Sequence, residues 1–218
     1  MAKTILSKNQ RVVLKYLIAE QNITNNFYLS GGTALAEYYL HHRLSEDLDF
    51  FSEEEISSQD IFTFFKKIKK NIKLQKIDFQ QSFNRNLFFL YFKNDIIKTE
   101  FTYYPFKPIT KGKILNNLRI DGLLDIAVNK LFTIYQKPRS RDFIDLYLII
   151  KQEKLSLNDL IKKARIKFDW HIDYLQLGSQ FLKALEVKDY PKMIKKLDNK
   201  IWQDFFIKEA KLLNKNIF

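Results

Sequence analysis

Two aspartates, Asp47 and Asp49, stand two apart in the stretch 28-YLSGGTALAEYYLHHRLSEDLDFF-51, and a glycine pair, Gly31-Gly32, precedes them. On an extended strand side chains alternate, so both carboxylates point to one side while Leu48 and Phe50 point into a core. Their α-carbons then lie about 6.5–7 Å apart. Acids placed this way repel each other unless a cation lies between them, and a hard divalent ion with oxygen ligands suits the position. They either share one ion or hold one each of a pair about 3.5–4 Å apart. The glycine pair has a different task. Without Cβ atoms its backbone can approach a ligand closely, and a helix opening behind it offers free N–H groups to an anion. Thr33 can add a hydroxyl. A phosphate cradle beside a divalent-metal site is what binding and reacting a nucleoside triphosphate (NTP) requires. Taken singly, the glycine pair reads as a tight turn and the two acids as a solvated strand edge; the order strand, glycine pair, helix, loop, paired acids is more specific. Neither GxxxxGK[ST] nor GxGxxG occurs, so the cradle is not a P-loop or a dinucleotide fingerprint.

The elements that must position these residues can be read from periodicity. Helical spacing predicts a helix over 7–21, with Val12, Val13, Tyr16 and Leu17 on one side. A short strand at 27–30 runs into the glycine pair, a helix covers 33–42, and a strand covers 47–51. A helix follows over 57–71, with Ile61, Phe64, Phe65 and Ile68 inward. Three alternating apolar runs, 72–80, 86–93 and 96–103, are separated by the short polar breaks 82–85 and 93–95, which predict antiparallel hairpins. The aromatic residues of these strands (Phe88, Phe89, Tyr91, Phe101, Tyr103, Tyr104) alternate as core packing does. Beyond Pro105 and Pro108, a short strand near 117–120 precedes helices over 121–135, 140–152, 156–167, 170–185 and 200–214. The layout is α+β, a mixed sheet with helices in residues 1–120 and a helical domain in 121–218.

Bulk properties narrow the classes. The chain has 218 residues and no cysteine, which excludes a disulfide scaffold or thiolate metal site and suits a reducing cytoplasm. No apolar run is long enough for a membrane span, and the N-terminal stretch MAKTILSKNQRVVLK lacks the apolar region of a signal peptide. The net charge is +12, from 37 basic and 25 acidic side chains. It is uneven: residues 1–60 hold 5 basic and 9 acidic side chains, residues 61–120 hold 13 and 3. An acidic spot inside a basic chain favours a polyanionic partner such as nucleic acid; a soluble Lys-rich surface is the plainer account. Lysines between Lys66 and Lys76 and the basic C-terminal helices are the candidates for RNA phosphates.

The order GG-T, helix, D-L-D resembles the signature of the nucleotidyltransferase superfamily related to DNA polymerase beta. The longer string GGTALAEYYLHHRLSEDLDFF is similar to the AbiEii/AbiGii-type toxin family, with its GGTAL…HR.S.DLDFF pattern. Lys130 followed by 139-RSRDFIDLY-147 resembles that family's later K…RDxxDLY motif. Motifs are absent from the last third. The resemblance implies a nucleotidyltransferase fold and metal-dependent transfer of a nucleoside monophosphate from an NTP, with Mg²⁺ or Mn²⁺ as the ion. It implies an RNA acceptor, with the 3′ end of tRNA the leading choice, and so a block on translation. It also implies the toxin of a toxin–antitoxin or phage-defence pair, with a separate antitoxin protein. The same chemistry on a protein acceptor, and an inactive fold kept as a nucleic-acid or partner-binding module, are the alternatives; the intact Gly31, Gly32, Asp47 and Asp49 argue against decay.

The resemblance also directs attention to further residues. The superfamily uses a third carboxylate on a neighbouring strand, and Glu100 in IIKTEFTYY is the candidate, with Asp78 a weaker competitor; alternatively Glu100 faces solvent in phase with Lys98 and Thr102. Arg43 either grips the triphosphate through its planar fork or pairs with Glu46 or Asp47. Ser45 shapes the loop or bonds a phosphate oxygen. His41 and His42 read as surface residues at a helix end. Lys130, among apolar neighbours, either neutralises phosphate or snorkels to solvent. Asp142 and Asp145 share one helix face. Asp142 is a candidate general base or a residue that orients Lys130; an ordinary Arg141–Asp145 ion pair is the structural alternative.

Overall fold

The computed structural model describes residues 4–55 and 57–215; the extreme N-terminal residues of the stretch read for a signal peptide lie outside that range. The chain divides into two compact units. One comprises residues up to 107 together with 111–121, the other 108–110 together with 122 onward.

The first unit is built on a seven-stranded mixed sheet in the order β3-β4-β5-β2-β1-β7-β6. Its strands are β1 (Tyr28–Ser30), β2 (Leu48–Ser52), β3 (Lys76–Ser82), β4 (Arg85–Tyr91), β5 (Ile96–Tyr103), β6 (Lys113–Leu115) and β7 (Leu118–Ile120). The pairs β1–β7 and β2–β5 are parallel and the others antiparallel. The two polar breaks do make the hairpins β3–β4 and β4–β5. Helices α1 (Lys8–Ala19), α2 (Gln21–Asn26), α3 (Gly31–Leu35) and α4 (Ser58–Ile68) complete the unit.

One sheet face is apolar and aromatic. Phe101 of β5 stacks on Phe50 of β2 with ring centres 5.1 Å apart, and meets Phe27, Phe65 of α4 and Phe88 of β4 at 5.0, 6.1 and 5.9 Å. Leu48, Phe50, Phe65, Phe88 and Phe101 are buried. Each ring buried there brings a few kcal/mol of hydrophobic stabilisation, about 1.5–3 by area. With this face sealed, the alternate residues of β2 and β5 must face the other way.

Several boundaries differ from the periodicity. The helix expected over 33–42 begins at Gly31 and changes to a π-helical turn over Ala36–Leu40, closed by His41 in the left-handed region. His42 is fully buried, not on the surface. The residues at 21–26 form their own short helix because Glu20 is extended and ends α1. The run at 72–80 becomes a strand only from Lys76; Ile72 and Leu74 are buried in the turn that leaves α4. Strand β6, too short and too exposed to alternate legibly, was not expected.

The second unit holds α5 (Leu123–Gln136), α6 (Ser140–Glu153), α7 (Leu157–Phe168), α8 (Tyr174–Leu182), a 3₁₀ turn (Lys183–Leu185) and α9 (Asn199–Lys215). Its core includes Phe143, Phe181, Trp202 and Phe206, with Phe143–Phe206 ring centres 4.8 Å apart. Among the described residues, no helix is long and apolar enough to cross a membrane.

Candidate nucleotide and metal site

The paired acids lie where alternation demands. Strand β2 starts at Leu48, so Asp47 stands at its entry. Leu48 and Phe50 are fully buried and Asp47 and Asp49 half-buried. Register extends the acidic row across the sheet: Asp49 is opposite Ser30 of β1 on one side and Glu100 of β5 on the other.

The glycine pair meets these acids directly. A Cβ on Gly31 would lie 2.5 Å from Asp49 Oδ2, and Gly31 has φ +70°, a region that side chains disfavour. A Cβ on Gly32 would lie 2.5 Å from Arg43 Nη2 and 3.0 Å from Ser45 Oγ. The two glycines are therefore a backbone surface pressed between the Asp49 carboxylate and the Arg43–Ser45 segment. Arg43 is buried and its Nη1 donates to the Leu44 carbonyl at 2.9 Å. Thr33 is fully buried, and its hydroxyl donates to the Asp47 carbonyl. That bond ties α3 to the start of β2. Gly31, Gly32, Thr33, Arg43, Ser45, Asp47 and Asp49 are thus all gathered in one place.

Three residues that sequence reasoning missed support the gathering. Gln10 closes a capping box with Ser7 and sends its amide to the carbonyls of Ser45 and Glu46, at 2.8 and 3.0 Å. The Ser-x-x-Gln spacing was a visible sign of the box, but not of its reach to residue 45. Ser30 donates to the buried Asp121 carboxylate at 2.6 Å, a contact created by the parallel pairing of β1 with β7. Arg85 grips Glu100 with two bonds of 2.6 Å.

That grip changes the reading of Glu100. It shares the face and the register of Asp49, but Arg85 binds both its oxygens and Thr102 donates to Oε1 at 2.9 Å. Burial pushes the carboxyl pKa up, yet the Arg85 bonds and charge, with Thr102 and Lys98, outweigh it and hold the pKa below its ordinary value. The Arg85 guanidinium is raised in return, first by its bond to Glu100. Among the described residues, no group of three or more His, Cys, Asp or Glu side chains that could hold a metal ion is found. Asp78 lies on edge strand β3, paired with Lys76 at 2.7 Å. The pair Asp47 and Asp49 does fit a hard divalent cation: two carboxylates on one face, partly open to solvent, beside a backbone surface. Asp47 already draws a cation, the ammonium of Lys98 at 3.1 Å.

In the helical unit, Lys130 of α5 lies between two carboxylates of α6, 2.7 Å from Asp142 and 2.8 Å from Asp145. All three are buried. Lys130 is ion-paired in the interior and does not snorkel. Arg139 adds a bond to Asp142 at 2.9 Å. Burial raises the Asp142 pKa, but the charges of Lys130 and Arg139 prevail and lower it. A carboxylate held this way is a poor proton acceptor and a good anchor for the ammonium.

Comparison with known proteins places the chain in a family. A curated but uncharacterised protein of Aquifex aeolicus (strain VF5) is 34% identical over 166 residues, 75% of this chain and 76% of that protein. The fold resembles a Helicobacter pylori crystal structure described as a candidate nucleotidyltransferase, with TM-score 0.62, 22% identity and 97% of each chain covered. It also resembles JHP933 from Helicobacter pylori, with TM-score 0.61, 22% identity and 97% and 94% covered. The family model for the nucleotidyl transferase AbiEii toxin of type IV toxin–antitoxin systems matches residues 12–211, nearly the whole chain. On that match, this chain belongs to the AbiEii nucleotidyltransferase toxins.

Proposed function

We propose that this toxin moves a nucleoside monophosphate from an NTP to an RNA hydroxyl, the 3′ end of tRNA being the acceptor of choice, in a Mg²⁺-dependent reaction. The observation that supports it most is the contact of Gly31 and Gly32 with Asp49, Arg43 and Ser45: a side-chain-free backbone surface beside two acids on one strand face. The acceptor hydroxyl gives up its proton to solvent as its oxygen forms a bond to the α-phosphorus, the bond from that phosphorus to the bridging oxygen of the β-phosphate breaks, and pyrophosphate leaves. A divalent ion bound at Asp47 and Asp49 would supply charge neutralisation and a more acidic acceptor hydroxyl.

The chain's own residues do the positioning. Gly31 and Gly32 let phosphate oxygens approach the backbone. Arg43 offers its planar fork to the triphosphate, and Ser45 a hydroxyl. Thr33 and Gln10 hold the segments that carry Asp47 and Ser45. Glu100 is paired with Arg85 beside the two acids. Lys130 is assigned to phosphate charge on its motif alone, with Asp142 and Asp145 fixing its ammonium. The basic stretch 61–120 favours RNA as acceptor, and the family implies an antitoxin partner and an NTP substrate.

Incubation of the pure protein with Mg²⁺, total tRNA and each α-³²P-labelled NTP tests this. Label on RNA from one NTP, lost with Asp49→Ala in a folded protein, is the expected result. Full activity in both Asp47→Ala and Asp49→Ala overturns the assignment of the acids. Label on protein moves the acceptor class, and no transfer at all leaves the binding-module reading.

A further inference from the structure

The chain has two tryptophans, and the helical unit treats them oppositely. Trp202 of α9 is fully buried, stacks on Phe143 with ring centres 5.8 Å apart, and donates its indole N–H to Asn199 at 3.1 Å. Trp170, between α7 and α8, is 56% exposed. Among the described residues its ring meets no other ring and no cation, and its N–H has no protein acceptor. The segment that carries it is nevertheless held. Asp169 is left-handed, with φ 45°, and folds the Trp170 amide back to the Arg165 carbonyl at 3.2 Å. Arg165 Nη2 donates to the Ile172 carbonyl at 2.7 Å, and the Asp173 side chain caps α8 at the Gln176 amide. A fixed backbone therefore presents the indole to water, with both its flat faces and its donor unused.

The surroundings are basic. The stretch 162-KKARIKFDWHIDY-174 carries Lys162, Lys163, Arg165 and Lys167 against Asp169 and Asp173. Among the described residues, Lys162, Lys163 and Arg165 are in ion pairs with no carboxylate. Lys162 and Lys163 stand four and three residues before Ile166, so they border it on the face of α7, and Ile166 is 83% exposed. Lys162 lies eight residues before Trp170, roughly 12 Å at helical rise. A rigid, unstacked ring beside unpaired cations is complementary to a flat base carried on a phosphate chain, because any unpaired base can stack on an aromatic side chain. We propose that Trp170 is a stacking platform for an unpaired base of the acceptor RNA, with Lys162 and Lys163 on its phosphates.

The inference rests on RNA being the acceptor, but its test needs no NTP. The full chain is titrated with a short single-stranded oligo(A), and with an abasic ribose-phosphate oligomer of the same length, while tryptophan fluorescence is followed. Oligo(A) is expected to quench the exposed indole and the abasic oligomer to leave it unquenched. Trp170→Ala keeps only the buried Trp202 as reporter, so quenching should vanish. Its affinity for end-labelled oligo(A) should fall about tenfold, and Trp170→Phe should retain most of it. Lys162→Gln with Lys163→Gln should reduce the slope of log K against log salt by about 1.4. Equal quenching by the abasic oligomer, or unchanged oligo(A) affinity in Trp170→Ala, overturns the proposal. Quenching by an acidic peptide but not by oligo(A) also overturns it and gives the surface to a protein. Trp170 is exposed, so its variants should fold, and circular dichroism checks this. Base-dependent quenching without label transfer to RNA would refute the proposed function and leave the platform standing. Transfer to RNA with an unchanged KM for RNA in Trp170→Ala would do the reverse.

Discussion

At the scale of single residues, Gly31 carries the sharpest constraint. It combines a left-handed backbone with a carboxylate oxygen where a Cβ would be. An L-residue in that conformation costs about 1–2 kcal/mol before any steric overlap with Asp49 is counted. Gly31→Ala is therefore expected to lower the urea midpoint and to abolish transfer, because Asp49 must move; unchanged stability with full transfer would contradict the packed cradle. Glu100 gives a pH prediction. Its pKa is depressed in the folded chain, so its pairing stabilises the protein at and above the ordinary carboxylate range. That contribution is lost as pH falls through the lower folded pKa. Replacing Arg85 by Met removes the main opposition to burial, so the Glu100 pKa should rise and acid unfolding should begin at higher pH. A carboxyl NMR titration with the acid-unfolding curve checks both.

At the scale of elements, the short strands and turns hold the site by specific bonds. Helix α1 reaches the loop before β2 through the Gln10 amide, so Gln10→Ala is expected to cost about 1 kcal/mol, typical of a lost hydrogen bond, and to loosen residues 45–47. Hydrogen exchange at those amides should rise while the helical unit is unaffected. Between α5 and α6 the stakes are larger. Lys130→Met leaves Asp142 and Asp145 buried without their ammonium, and breaking such a pair costs about 3–5 kcal/mol. Adding Asp145→Asn should recover part of that loss in urea denaturation; no recovery would mean the cluster is not coupled. Loss of transfer in Lys130→Met has to be read beside this stability effect, so the motif's functional role is separated only in the rescued double variant.

At the scale of the molecule, charge asymmetry makes the acceptor testable. Residues 61–120 carry most of the positive excess, and Lys67 and Lys70 are exposed near the end of α4. If these lysines grip RNA phosphates, binding should fall steeply with salt, and each removed contact should reduce the slope of log K against log salt by about 0.7 for a single strand. Lys67→Gln with Lys70→Gln should therefore flatten the salt dependence and leave Mn²⁺ binding at the acids unchanged. An unaltered slope would place the RNA elsewhere.

The paired acids, the glycine cradle and the alternation of β2 were legible in the sequence because each is local: a period of two, a missing Cβ, a fixed spacing. The mixed sheet followed by helices was legible for the same reason, and so was the family motif. Contacts between distant segments were not. Ser30 meets Asp121, and Gln10 meets Ser45, only because strand order and helix docking join them. Glu100 was a candidate third metal ligand through the superfamily resemblance, or else a strand residue facing solvent. Its partner Arg85 lies across a hairpin whose register, Leu87 opposite Glu100, no single-strand pattern records. Sequence determined which residues could share a face; tertiary structure decided which of them neutralise one another, since pairing depends on register and burial, and burial makes an unpaired charge too costly to leave.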